Sequence, residues 1–111
     1  MMLRQLTGTA DAEHNRLLSI SQQAASLELC FAQPPQVRAH AELSAMWSIA
    51  PVAATQRQQG ELRMAQDEVA SWILLWRDNS LQLGITALGQ LHTQWRYSND
   101  SCVLFVVSRQ T

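Results

Sequence analysis

Hydrophobic and polar positions along the chain repeat one order twice: a helical stripe, a strand with strict two-residue alternation, and a further strand. In the second copy Val69, Trp72, Ile73 and Trp76 fall at i, i+3, i+4 and i+7, which puts four large apolar groups on one helical face. The spacing predicts a helix over residues 66–78. Asp67 and Glu68 suit the dipole of its first turn, Arg77 that of its last, and Asn79-Ser80 supplies the stop. From Leu81 the period changes to two. Leu81, Leu83, Ile85, Ala87, Leu91, Trp95 and Tyr97 share one parity, while Gln82, Thr86, Gln90, His92, Gln94 and Arg96 take the other. A half-buried strand is predicted over 81–97, then a turn at Ser98-Asn99-Asp100-Ser101, then an apolar central strand over 102–107.

The first copy is fainter. Leu17, Ile20, Ala24, Leu27 and Phe31 recur at steps of three and four and predict a helix over 10–32, ended by Pro34-Pro35. Val37, Ala39, Ala41, Leu43, Ala45, Trp47 and Ile49 then alternate with Arg38, His40, Glu42, Ser44, Met46 and Ser48, a second half-buried strand over 37–49. A polar stretch after Pro51 leads into a short strand over 60–64. The predicted order is αββαββ, an α+β permuted ferredoxin-like sandwich with one four-stranded antiparallel sheet and two helices on one face. Trp72 and Trp76 are expected to fill the underside of the second helix, with Trp47 and Trp95 meeting them from the sheet.

Composition narrows the class. At 111 residues and 47% hydrophobic the chain reads as one domain over 10–111, with residues 1–9 a flexible N-terminus or the end of a coiled coil. No apolar run approaches the ~18 residues of a membrane-spanning helix, and the first residues lack the apolar stretch of a signal peptide. The eight basic residues are all arginine and the net charge is −1, so a polyanion-binding surface is not expected. The strand aromatics Trp47, Trp95 and Tyr97 fall on the buried parity, which removes the stacking platform by which small sheets bind RNA. Cys30 and Cys102 have neither metal spacing nor a CxxC pattern, and two buried free thiols are the expected state. A disulfide would require the first helix to lie over the last strand in an oxidising compartment.

Catalytic chemistry finds no carrier. His14, His40 and His92 are far apart without partners at ligand spacing, Asp67-Glu68 is adjacent only because a helix begins there, and the glycines at 8, 60, 84 and 89 form no phosphate loop. No enzyme activity, cofactor, metal or small-molecule substrate is expected. Association is the stronger expectation, because long edge strands present unpaired N–H and C=O groups and neither 37–49 nor 81–97 contains a proline or lysine. Arg38, His40, Glu42, Gln90, His92 and Gln94, on the polar parity of those strands, are the candidate partner-binding residues.

The αββαββ order resembles the periplasmic domains of the PilO and GspM families, inner-membrane platform proteins of type IV pilus, DNA-uptake and type II secretion systems. The similarity runs from about Leu43 to Arg109: a strand ending in Trp47-Ser48, Gly60-Glu61-Leu62 opening the next, a helix with buried aromatics, Asn79 before an alternating strand, and an apolar last strand. It implies a non-catalytic periplasmic scaffold that dimerises with itself or with a PilN- or GspL-like subunit, below an N-terminal membrane anchor that lies upstream of this chain. The stripe Leu17 to Phe31 continuing back through Leu3, Leu6 and Ala10 would be the coiled coil descending from that anchor. The alternative is a ligand-sensing ferredoxin-like regulatory domain, which predicts a pocket with converging polar groups.

Overall fold

Alternation with period two, and not the helical stripe, governs the whole chain. In the computed structural model, which describes residues 15–40, 45–53, 57–89 and 91–109, ten β-strands form two stacked sheets. They are β1 (Asn15–Gln23), β2 (Ser26–Phe31), β3 (Gln36–Ala39), β4 (Met46–Ala50), β5 (Val52–Ala53), β6 (Gln58–Arg63), β7 (Val69–Arg77), β8 (Ser80–Thr86), β9 (Leu91–Asn99) and β10 (Cys102–Arg109). One sheet has the order β5-β1-β2-β10-β9 and the other β3-β4-β8-β7-β6. All pairings are antiparallel except the short parallel contact of β5 with β1. The ferredoxin-like α+β expectation is therefore incorrect: the only helical turn among the described residues is a 3₁₀ turn at Ala65–Asp67.

The predicted second helix is strand β7. Its inward row is Ala70, Trp72 and Leu74, all buried, while Val69, Ser71, Ile73 and Leu75 face outward. Ile73 and Leu75 fill the outer face with apolar groups, and an apolar run on both faces also satisfies the spacing of three and four that suggested a helix. Val, Trp and Ile in that run favour a pleated surface. What stops the segment is a two-residue hairpin: Asp78 and Asn79 both have positive φ (53° and 61°), and Arg77 pairs with Ser80 across them. That geometry belongs to a type I′ turn, for which Asp and Asn are well suited.

The predicted first helix is likewise a hairpin, β1 and β2, turning at Ala24-Ala25 with Ala24 at φ 52°. Leu27, Leu29 and Phe31 point inward and are buried. Residues 37–49 form two strands, β3 and β4, paired from Val37–Ile49 to Ala39–Trp47. Residues 81–97 also form two strands, β8 in one sheet and β9 in the other, separated by Gly89 at φ +86°. Pro34-Pro35 lies between β2 and β3, where the chain passes from one sheet to the other. The N-terminal coiled-coil expectation lies outside the described residues as far as residue 14.

Between the sheets lies one core. Phe105, Val103, Leu27 and Leu29 from the first sheet meet Trp47, Ile49, Leu74, Leu81, Leu83 and Ile85 from the second, with the Trp47 and Phe105 rings 5.1 Å apart. Trp72 lies over Gly60 on the neighbouring strand, and a Cβ at position 60 would come within 2.7 Å of the indole. Its Nε1 donates to Gln22 Oε1 in the opposite sheet at 2.6 Å. Trp76 departs from the expected core role: it is 43% exposed and donates through Nε1 to the Val52 carbonyl at 2.6 Å.

Two polar devices hold the first sheet together. Asn15, 1% exposed, donates through Nδ2 to the Gln33 carbonyl and accepts from the Gln33 N–H, so an amide side chain does the work of a ladder partner. Cys30 and Cys102 form a disulfide, correcting the expectation of free thiols. They are opposed residues of β2 and β10 with Cα atoms 4.1 Å apart. The flanking Phe31 N–H to Ser101 C=O bond places them at a non-hydrogen-bonded position, where opposed residues approach most closely. The bond joins strands of one sheet, and no overlying helix is needed.

Candidate functional site

Four strands end the two sheets: β5 and β9 in one, β3 and β6 in the other. An exposed edge is a template for another chain, and proteins blunt such edges by shortness, charge or cover. By that measure the four are unequal. β5 has two residues and β3 four. β6 has six and carries Glu61 and Arg63, with Gly60 lying beneath Trp72. β9 runs nine residues, Leu-His-Thr-Gln-Trp-Arg-Tyr-Ser-Asn, with no proline, lysine or carboxylate. Among the described residues no strand pairs with its outer side.

The backbone groups on that free side follow from the ladder. Phe31 N–H bonds Ser101 C=O and Val107 N–H bonds Ala25 C=O, so the odd residues of β10 turn their polar groups toward β2. The even residues of β10 therefore bond β9 at Leu104–Arg96, Val106–Gln94 and Ser108–His92. That assigns the N–H and C=O groups of Thr93, Trp95 and Tyr97 to the open edge. Their side chains point between the sheets: Trp95 is half-buried, Tyr97 is 44% exposed, and their rings meet edge-on at 5.7 Å. Tyr97 Oη donates to the Pro35 carbonyl at 2.9 Å, linking this edge to the segment that leads into β3. The Thr93 hydroxyl is buried without a hydrogen-bond partner.

Of the predicted partner-binding residues, His92 and Gln94 lie on β9 and point outward, exposed. Arg38 lies on β3, and His40 follows it, both on the outer side of the other sheet. The two pairs therefore face away from each other. Glu42 and Gln90 lie outside the described residues. Sequence reasoning placed the side chains of β9 on the correct faces and missed Thr93, Trp95 and Tyr97, because a backbone edge leaves no side-chain motif.

Around Arg38 and His40 runs an open groove of about 560 Å³, lined also by Gln36, Ser48, Ser80 and Tyr97. Its floor is a chain of hydrogen bonds crossing three strands. Ser48 Oγ donates to Gln82 Oε1 at 2.8 Å, Gln82 Nε2 donates to Ser80 Oγ at 2.8 Å, and Ser80 Oγ donates to the Arg77 carbonyl. Ser48 Oγ also lies 2.6 Å from His40 Nε2. These contacts tie the segment that follows β3 to β4 and β8.

The one cluster of metal-type ligands among the described residues is Glu28, Cys30 and Cys102. Its two sulfurs are bonded to each other and Glu28 Oε2 accepts from Ser98 Oγ, so no ligand set remains. No helix of the described residues is long and apolar enough to cross a membrane. Comparison with known proteins finds no matching family model, no similar curated protein and no similar solved structure.

Proposed function

We propose that this domain is a non-catalytic association module that binds a protein partner by adding a strand to the free edge of β9. The observation that carries the reading is the contrast among the sheet edges: three have two to six residues, while β9 runs nine, with no carboxylate and with its outer side unpaired among the described residues. The Cys30–Cys102 bond supports an oxidising setting such as the periplasm. A pilus or secretion platform is one such setting. Its resemblance rested on an αββαββ order that the sandwich replaces, so the support for association now comes from the edge alone. A stretch of about 20 apolar residues encoded upstream would favour the platform setting.

The test is site-specific photocrosslinking in the native host. A photoreactive residue at Gln94, exposed on β9, is expected to capture a protein, whereas the same residue at Glu61 on β6 is not. Equal capture from both strands, or none from β9, contradicts the reading.

A further inference from the structure

Resting on the reading of β9 as the associating edge, we infer that its partner is a second copy of this chain, paired antiparallel about a two-fold axis at Trp95. The open edge presents the N–H and C=O groups of Thr93, Trp95 and Tyr97, every second residue of the strand. A strand whose outward-directed polar groups recur with that spacing can meet its own two-fold image, since each N–H then faces a C=O of the copy. A symmetric pair of this kind has few registers, and the sequence distinguishes them.

The ladder of β9 with β10 shifts register beyond Tyr97, so the regular stretch is Leu91–Tyr97, and an axis at Trp95 pairs its edge-directed residues Thr93, Trp95 and Tyr97 with one another. Thr93 meets Tyr97 of the copy and Trp95 meets Trp95. On the outer face Gln94 stands opposite Arg96, an amide oxygen facing a guanidinium. No like charges are opposed. Moving the axis to Gln94 pairs the regular stretch Leu91–Tyr97 but sets the basic side chains of His92 and Arg96 against each other. Moving it to Arg96 sets the two Arg96 guanidinium groups against each other, an unfavourable cross-strand pair.

The inner face favours the same register. Trp95 is only half-buried and Tyr97 is 44% exposed in the single chain because the sheet ends there. With the axis at Trp95 the two indoles flank one another on the inner side and cover each other's open rim, the arrangement in which aromatic cross-strand pairs stabilise a sheet. The two first sheets then continue into one sheet across the axis. The outer rows of β9 and β10, with Leu104 half-buried and Val106 41% exposed, run on unbroken beside it.

Sedimentation equilibrium of the full chain tests the register through charge. Gln94→Glu with Arg96→Glu opposes like charges at both outer pairs and is expected to raise the dimer dissociation constant by roughly tenfold or more. Gln94→Lys with Arg96→Glu opposes unlike charges at the same positions and is expected to restore wild-type association or tighten it. Both substituted positions, Gln94 and Arg96, are exposed, and an unchanged melting temperature checks that each variant is folded. A dimer indifferent to both charge sets overturns the register. A wild-type chain that stays monomeric up to millimolar concentration, while Gln94 crosslinks a different protein in the host, overturns self-pairing and leaves the edge reading standing. Absence of any β9 crosslink removes the edge reading itself.

Discussion

β6 and β9 are both edge strands, and the sequence treats them differently. β6 has six residues, two of them charged, and a glycine over which Trp72 packs. β9 has nine residues, with Arg96 and a histidine as its basic groups and three bulky side chains, Leu91, Trp95 and Tyr97, on its inner row. Short length, charge and a glycine in the middle all weaken a strand as a template for a neighbour. Length and aromatic residues strengthen it. By these measures β9 is the better template of the two edges, which makes it the edge to test.

The largest expected effects bear on β7, beside β6, and on the body of the first sheet. Truncating Trp72, 5% exposed and hydrogen-bonded to Gln22, should cost about 3–5 kcal/mol. Truncating the half-exposed Trp76 should cost less than half of that, a ranking that chemical denaturation can measure. A Trp76→Ala loss equal to that of Trp72→Ala would break the assignment of β7. Replacing both Cys30 and Cys102 with alanine removes a crosslink between residues 72 apart in sequence and should cost about 2–4 kcal/mol. The melting temperature of the wild type should fall comparably on reduction.

Proline substitution sharpens the comparison residue by residue. Gln94 turns its N–H toward β10, so Gln94→Pro removes a ladder bond, and a loss of about 3 kcal/mol is expected, by analogy with the breaking of a helix. Thr93 turns its N–H to the open side, so Thr93→Pro should change monomer stability by less than about 1 kcal/mol while abolishing association. Equal destabilisation by both would mean that the free side of β9 is already occupied within the monomer. At Gly60 alanine would bring a Cβ against the Trp72 indole and cost about 1–3 kcal/mol, depending on how far the ring can shift.

What the chain discloses before folding is the face of each residue more than the element it belongs to. Leu81, Leu83 and Ile85 are buried and Gln82 and Thr86 are not, on the sides that their alternation assigns. His92, Gln94 and Arg96 point outward on β9 as their parity requires, although β9 belongs to a different sheet from β8. The element types failed where an apolar run had no polar face to reveal its period. In β7 the outer row contains Ile73 and Leu75, so spacings of two, three and four are all satisfied. The decisive signal was local: Asp78-Asn79 between two apolar runs specifies a two-residue hairpin more strongly than it specifies a helix end.

Other turns were less legible. Gly89 marks the passage from β8 to β9, yet an isolated glycine within an alternating run reads as easily as a bulge. Ala24-Ala25 turns β1 into β2 with neither glycine nor asparagine, and alanine there favours the helical reading. With β1 and β2 taken as one helix, Cys30 could not be placed on a strand beside Cys102, and free thiols were the expectation. The candidate edge was half legible: association through residues 81–97 follows from their length and lack of proline, but which backbone groups are free depends on the pairing of β10 with β2 and β9.

The most direct measurement is residue-resolved amide exchange across a range of protein concentrations. Gln94 and Arg96, bonded to β10, should exchange slowly at every concentration, while Trp95 should exchange rapidly when the chain is dilute and slow as it becomes concentrated. A Trp95 amide that is protected even at high dilution, or whose rate does not change with concentration, would contradict the assignment of β9 as the open, self-pairing edge.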